Sequence, residues 1–396
     1  MRILHVIPDV APSSGGPPSA VLGMAEAQSK AGHLVAIAAT DFGRPELPSL
    51  NGIEIRLYPC DFARWRWSHK LKRGLIPHIK NADIVHIHTM WNFPVLAAAS
   101  LCTALDKPYV LRPCGMLDPW SLSQRRWRKR LHLLCFGNEI IRKAAAIHFT
   151  SEQERTNSIL STGVRRPFVC PLGVSYDDDA KLPDPAAFRK RFPELGQDLL
   201  ILFLGRLHYK KQPAVLVRAF QKVAVKNPHV RLILAGSGNE NFVQKLRNLV
   251  NDLGLKNRVL FTGMLSGLAK QEALAAADLF VLPSLHENFG ISVVEAMAAG
   301  CPVIVSDQVN IARDIIRARA GIVCPAKASE IADAISKLIH DEELHKRMGE
   351  NGRRLFQDQF EWRNVTRSLL NEYDRLLHPD SNNQLNINMA VDEAII

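Results

Sequence analysis

Short apolar runs separated by longer amphipathic stretches recur along the whole chain. Residues 2–7, 34–39, 53–57, 84–88, 109–111, 146–150 and 168–170 read as strands, each bounded by turn residues. Helical spacing fills the intervals at 20–31, 95–105 and, as one long basic helix, 125–143. The stretch 171–185, with its acidic run and three prolines, reads as a linker. The alternation then restarts. Strands are expected at 199–204, 231–235, 259–262, 278–282, 303–306 and 322–324, and helices at 214–226, 241–254, 270–276, 329–340, 342–357 and 360–378. Strand alternating with helix implies a mostly parallel sheet covered on both faces. The expectation is therefore an α/β chain of two doubly wound, Rossmann-like domains, 1–175 and 183–360, facing a ligand-binding cleft. The segment 379–396 has no period and is expected to be poorly ordered.

Composition narrows the class. A chain of 396 residues that is 47% hydrophobic can fill two cores. Its seven cysteines are scattered with no C-x-x-C pair, which argues for free thiols in a reducing compartment. No run reaches the ~18 apolar residues of a membrane span, and the first residues read as a strand rather than a leader. The expected location is cytoplasmic, soluble or peripheral at the inner face of a membrane. The net charge of +11 is concentrated in the first half. Arg64-Trp65-Arg66-Trp67-Ser68-His69-Lys70-Leu71-Lys72-Arg73 and Arg125-Arg126-Trp127-Arg128-Lys129-Arg130 combine bases with tryptophan and contain no acid. That mixture suits an anionic membrane surface. No nucleic-acid fold motif accompanies it.

The most informative stretch is Pro283-Ser284-Leu285-His286-Glu287-Asn288-Phe289-Gly290-Ile291-Ser292-Val293-Val294-Glu295-Ala296-Met297-Ala298-Ala299-Gly300. It follows an apolar strand, forms a loop, and opens a helix near Ile291 that Gly300 stops. A helix N-terminus offers free amides and a partial positive charge to a phosphate, and Gly290 lets backbone approach closely. Glu287 in the loop and Glu295 one turn into the helix are placed to accept hydrogen bonds from a diol. After the strand at 199–204, Gly205-Arg206-Leu207-His208-Tyr209-Lys210-Lys211 supplies a planar fork and a point charge for a diphosphate.

The string Pro-Ser…Glu-x-Phe-Gly…Glu-Ala-Met-Ala-x-Gly resembles the donor loop of family 4 retaining glycosyltransferases, which have the GT-B fold. The Gly205–Lys211 segment is similar to the same family's Gly-Arg-Leu-x-x-x-Lys-Gly, with Gln212 in place of the last glycine. The resemblance implies transfer of a sugar from a UDP- or GDP-linked donor to a glycan or lipid-linked acceptor, with no further cofactor and no metal. On that basis Arg206, Lys211 and Glu287 are the catalytic candidates. Glu295, Asn288, Phe289, Gly290, Ile291, Gly236, Gly263 and Met264 are the donor-binding candidates. Arg112-Pro113-Cys114-Gly115-Met116-Leu117 is similar to a Ser-Pro-His-Gly-Met-Leu segment of a family subgroup, but Cys114 replaces the sugar-contacting His. With Gly115, the glycine pair Gly15 and Gly16, and His88 and Trp91, it forms the acceptor-side set. A nucleotide-sugar epimerase, a phosphorylase and an inactive sugar-nucleotide binder stay open as alternatives. A dehydrogenase is disfavoured because Gly15-Gly16 is not a G-x-G-x-x-G fingerprint.

Metal is not expected. His86 and His88 share a strand face but show no third ligand nearby in sequence. Asp177-Asp178-Asp179 formally matches Asp-x-Asp, yet it sits in the linker and reads as a solvated charge run.

Overall fold

The computed structural model describes residues 1–44, 50–158, 166–175 and 183–379. The Asp177–Asp179 run and residues 380–396 of the tail lie outside the described residues. Two units divide the chain. The first is Met1–Gly173 with Trp362–Ile396, and the second is Val174–Glu361.

The first unit has seven parallel strands, β1 (Arg2–Asp9), β2 (Leu34–Thr40), β3 (Ile53–Tyr58), β4 (Ile84–His88), β5 (Tyr109–Arg112), β6 (Ala146–Phe149) and β7 (Pro167–Val169), in the order β3-β2-β1-β4-β5-β6-β7. The second has six, β8 (Leu199–Leu204), β9 (Val230–Ala235), β10 (Val259–Gly263), β11 (Leu279–Leu282), β12 (Val303–Ser306) and β13 (Gly321–Cys324), in the order β10-β9-β8-β11-β12-β13. Each sheet is wound both ways from its first strand. The order reverses between β1 and β4 in one and between β8 and β11 in the other. In such sheets ligands bind outside the carboxyl ends of the strands at the reversal.

The strands form where the sequence is continuously apolar, as expected of strands covered on both faces. β4, β5, β11 and β12 are buried at every position. Several helices differ from the sequence reading. The helix Leu71–Asn81 is absent from it, because basic residues and Pro77 interrupt the stripe Leu71, Leu75, Ile79 that the fold buries. The expected basic helix 125–143 is two helices, Arg126–His132 and Asn138–Lys143, joined by a π turn at Leu133–Gly137. The presumed linker ends in a helix, Pro185–Arg191, capped by the Asp184 carboxylate, which accepts from the Ala186 amide at 2.9 Å.

The last helix, Trp362–Leu377, belongs to the first unit. Its Trp362 indole lies where a Cβ on Gly23 or Gly173 would stand, so the two glycines make its socket. One turn before its end, the Tyr373 hydroxyl reaches His86 Nδ1 at 2.6 Å.

Candidate active site

In the second unit the chemistry sits just past the ends of β8 and β11, the neighbouring strands at the reversal. The turn after β8, Tyr209–Lys211, is tied to the loop after β11 by the Leu285 amide, which donates to the Lys210 carbonyl at 2.8 Å. That bond brings the Lys211 ammonium into direct contact with the Glu287 carboxylate, each side chain 18% exposed. Burial, then the cations Lys210 and Arg206, push the Lys211 ammonium down to about 7, while the touching carboxylate favours its charged form. The Glu287 backbone is held in turn. Its amide donates to Gln308 at 3.0 Å and its carbonyl accepts from the Asn310 amide at 3.0 Å.

The loop closes on Gly290, whose φ of +87° is the left-handed conformation that glycine adopts freely, and which caps the helix Ile291–Ala298. No side chain caps this helix start, so its first amides are left for a ligand. Glu295, on the same helix, accepts from Lys270 Nζ at 2.5 Å, and the two side chains are 15% and 31% exposed. Lys270 is absent from the sequence-based set. It is a lone lysine in the short helix Gly267–Ala276, and only the fold shows which acid it meets.

The remaining donor-side candidates divide by role. Asn288 lies beside Asn310, whose amide nitrogen is 3.5 Å from its Oδ1. Phe289 is 3% exposed and packs edge-on against Phe360 at 5.7 Å, so its ring belongs to the core and only its backbone borders the loop. Ile291 is the first residue of the helix. Gly236 has a packing reason of its own, because a Cβ there would collide with the Gly205 carbonyl oxygen. Gly238 meets Leu207 in the same way. Gly263, at φ +74°, accepts from the Gly236 amide at 2.8 Å, and Met264 beyond it is 69% exposed. Arg206 is exposed, and its charge acts on both Lys211 and His208.

In the first unit Gly15 is the residue before the helix Gly16–Lys30 and carries φ +93°. The loop ahead of it is fixed by Asp9, which accepts from the Ala11 amide at 3.2 Å and from Arg66 Nε at 2.6 Å. Arg66 also lies over the Phe42 ring. Part of the first basic segment is thereby committed to the fold. Trp91 packs edge-on against His132, with the Lys129 ammonium 5.4 Å from its ring centre. Cys114, at φ +56°, and Gly115, at φ +71°, turn the chain after β5. Burial pushes the Cys114 thiol up, which lowers its reactive thiolate fraction at neutral pH.

His88 is fully buried in a cluster with His5, His86 and His148. The absence of a third histidine near His86 and His88 is corrected here. His5 is the register partner of His86 on the neighbouring strand, and nitrogens of His5, His86 and His88 lie within 4.8 Å of one another. Hydrogen bonds already engage these nitrogens except His88 Nδ1. The Cys170 carbonyl can only accept, so His148 Nε2 donates to it at 2.7 Å. His148 Nδ1 then accepts from His86 Nε2 at 3.3 Å, and His86 Nδ1 accepts from the Tyr373 hydroxyl. In a second chain, His5 Nε2 donates to Gln28 Oε1 at 2.7 Å, and His5 Nδ1 accepts from His88 Nε2 at 2.9 Å. All four rings are neutral in this scheme. Burial holds His5 down to about 4 and His148 to about 3, and holds His86 and His88 well below the usual range.

Comparison with known proteins agrees with this architecture. A "Glycosyl transferase 4-like domain" model matches residues 15–173, and a "Glycosyl transferases group 1" model matches residues 185–355. The chain is 26% identical over 369 residues to an uncharacterized glycosyltransferase of Methanocaldococcus jannaschii, covering 89% of this chain and 92% of that one. It is 27% identical over 396 residues to the phosphatidyl-myo-inositol mannosyltransferase of Mycobacterium leprae, covering 94% and 96%. The solved structure of Anabaena HepE with UDP and glucose superposes with a TM-score of 0.77 at 19% identity, covering 94% of this chain and 99% of that chain. The fold is thus GT-B, two parallel-sheet α/β units in one chain. The chain belongs to the family 4 glycosyltransferases, and its class of reaction is glycosyl transfer from a nucleotide sugar.

Proposed function

We propose that the protein is a retaining, metal-independent hexosyltransferase that uses a UDP- or GDP-linked sugar and a glycan or lipid-linked acceptor, in the synthesis of a cell-surface polysaccharide. The observation that carries the donor half is the pairing of Lys211 with Glu287 and of Lys270 with Glu295 beside an uncapped helix start. The diphosphate takes the amides at Gly290 and Ile291 together with Arg206 and Lys211. These cations stabilise the charge that grows on the leaving diphosphate and take the place of a metal ion. Glu295, oriented by Lys270, accepts from the ribose diol. Glu287 positions the sugar hydroxyls. Gly263 and Met264 border the base.

The acceptor hydroxyl attacks on the leaving-group face, and a diphosphate oxygen takes its proton. The new bond then keeps the anomeric configuration of the donor. The acceptor is held on the first unit, near Gly15, Gly16, His88, Trp91, Cys114 and Gly115. The exposed Trp127, Leu131 and Leu134 on the basic stretch 125–134 would seat that unit on an anionic inner-membrane surface. Among the described residues no helix is long and apolar enough to cross a membrane. A panel of nucleotide sugars, read first by thermal shift and then by NMR of the product, tests this reading. One donor should raise the melting temperature and yield a product of unchanged anomeric configuration. An inverted product would refute retention, and isomerised or phosphorolysed sugar would favour an epimerase or a phosphorylase.

A further inference from the structure

One guanidinium in the first unit is buried without a hydrogen-bonding partner for two of its nitrogens. Arg112, the last residue of β5, is 1% exposed, and its Nε and Nη1 are buried without a hydrogen bond or ion pair among the described residues. Leaving the donors of a charged group buried and unbonded is strongly unfavourable. The surrounding histidines do not offset it, because all are neutral. The neighbouring carboxylate, Glu154, feels the guanidinium's charge but makes its hydrogen bonds elsewhere. It accepts from the Gly115 amide at 2.5 Å and from the Thr150 amide and hydroxyl, each at 2.7 Å.

Other orphaned polar atoms flank the same spot. His88 is the register partner of Arg112 on β4, and its Nδ1 is buried and unbonded. Thr89 follows it, with a buried, unbonded hydroxyl and a φ of +73°, and its amide donates to the Arg112 carbonyl at 2.8 Å. A β-branched residue in the left-handed region is strained, and strain of this kind gathers at ligand sites. Partly buried Cys114, whose Sγ lies 3.5 Å from the Arg112 carbonyl, marks the side nearest solvent. The whole group lies at strand carboxyl ends beside the β1/β4 reversal.

We propose that Arg112 and Thr89 form an oxyanion subsite in the first unit that receives a phosphate or carboxylate group of the acceptor. The fork of the guanidinium and the hydroxyl donate to its oxygens, and the sugar-accepting hydroxyl is positioned from that anchor. Assigning the anion to the acceptor rests on the proposed function, whereas the subsite itself does not.

The test uses the full chain carrying Arg206→Ala and Lys211→Ala, which removes the two cations proposed to bind the donor diphosphate in the second unit. Inorganic phosphate is titrated by calorimetry at constant ionic strength. Binding should persist in this background, weaken by about tenfold or more on adding Arg112→Met, and weaken severalfold on adding Thr89→Val. Phosphate should also slow alkylation of Cys114, read by peptide mass spectrometry, while exposed Cys135 reacts at an unchanged rate. If Arg112→Met does not fold, Thr89→Val and the Cys114 protection decide. Phosphate binding indifferent to these variants, or no protection at Cys114, would overturn the subsite. A protein that binds phosphate here yet transfers no sugar would refute the proposed function and leave the subsite standing.

Discussion

The two units share one winding scheme and use it in opposite ways. In the second unit the strands at the reversal, Leu199–Leu204 and Leu279–Leu282, are apolar, and the charges begin only past their ends. Those charges are two mostly buried lysine–glutamate pairs that border the loop. In the first unit the centre of the sheet is itself polar, with His5, His86, His88, His148 and Arg112 buried among the strands. Pairs at the rim exchange partners when a charged ligand arrives, at little cost, because water and ligand compete for the same groups. A buried network cannot do so. It fixes each proton in place, and any atom it leaves unbonded is held ready at a set position. On the proposed function, the second unit would grip and release a charged ligand, and the first would hold a rigid acceptor-side surface.

The largest effect that would break this contrast is on turnover. Lys211→Ala and Glu295→Ala should each lower kcat/KM by about 10²–10³-fold, with circular dichroism and melting temperature little changed. Loss of fold in either variant would show that the rim pairs are structural. A second test strikes the anchor of the last helix. Trp362→Ala should cost about 3–5 kcal/mol of stability in urea unfolding, because the socket between Gly23 and Gly173 is left empty.

The third test is acid. The cluster's histidines have folded values depressed below their ordinary value near 6.5. Below that pH the unfolded chain takes up protons that the folded unit refuses. Stability is therefore full above about pH 6.5 and is lost as pH falls toward about 4. All six tryptophans lie in the first unit, so their fluorescence reports it alone. Its urea midpoint should drop through that window, and a flat midpoint would contradict a neutral, proton-ordered cluster. The smallest expected effect is that of Tyr373→Phe. It removes one donor to His86 and should cost about 1–2 kcal/mol with donor affinity unchanged.

Much of this was legible in the sequence, for identifiable reasons. Buried parallel strands are written as continuous apolar runs, so both sheets could be placed. The loop 283–300 carries its glycine, both acids and its helix start within one short stretch, and the structure puts Glu287 against Lys211 as a single turn tied to that loop. What was hidden is set by register and packing. His5 stands far from His86 in the chain and beside it in the sheet. Lys270 is an ordinary surface lysine until its helix meets Glu295. Gly236 looks like a ligand-facing turn, yet a carbonyl packs where its side chain would be. Phe289, inside the most informative segment, is a core ring. The burial of Arg112 follows from strand pairing that no local pattern announces.

The most direct test of the central claim is calorimetric titration of wild type and Lys211→Ala with the nucleoside diphosphate of the best donor and with the matching nucleoside. The variant should lose about 10–100-fold in affinity for the diphosphate and almost none for the nucleoside. An equal loss for both ligands, or none for either, would contradict a diphosphate gripped by Lys211 at the end of β8.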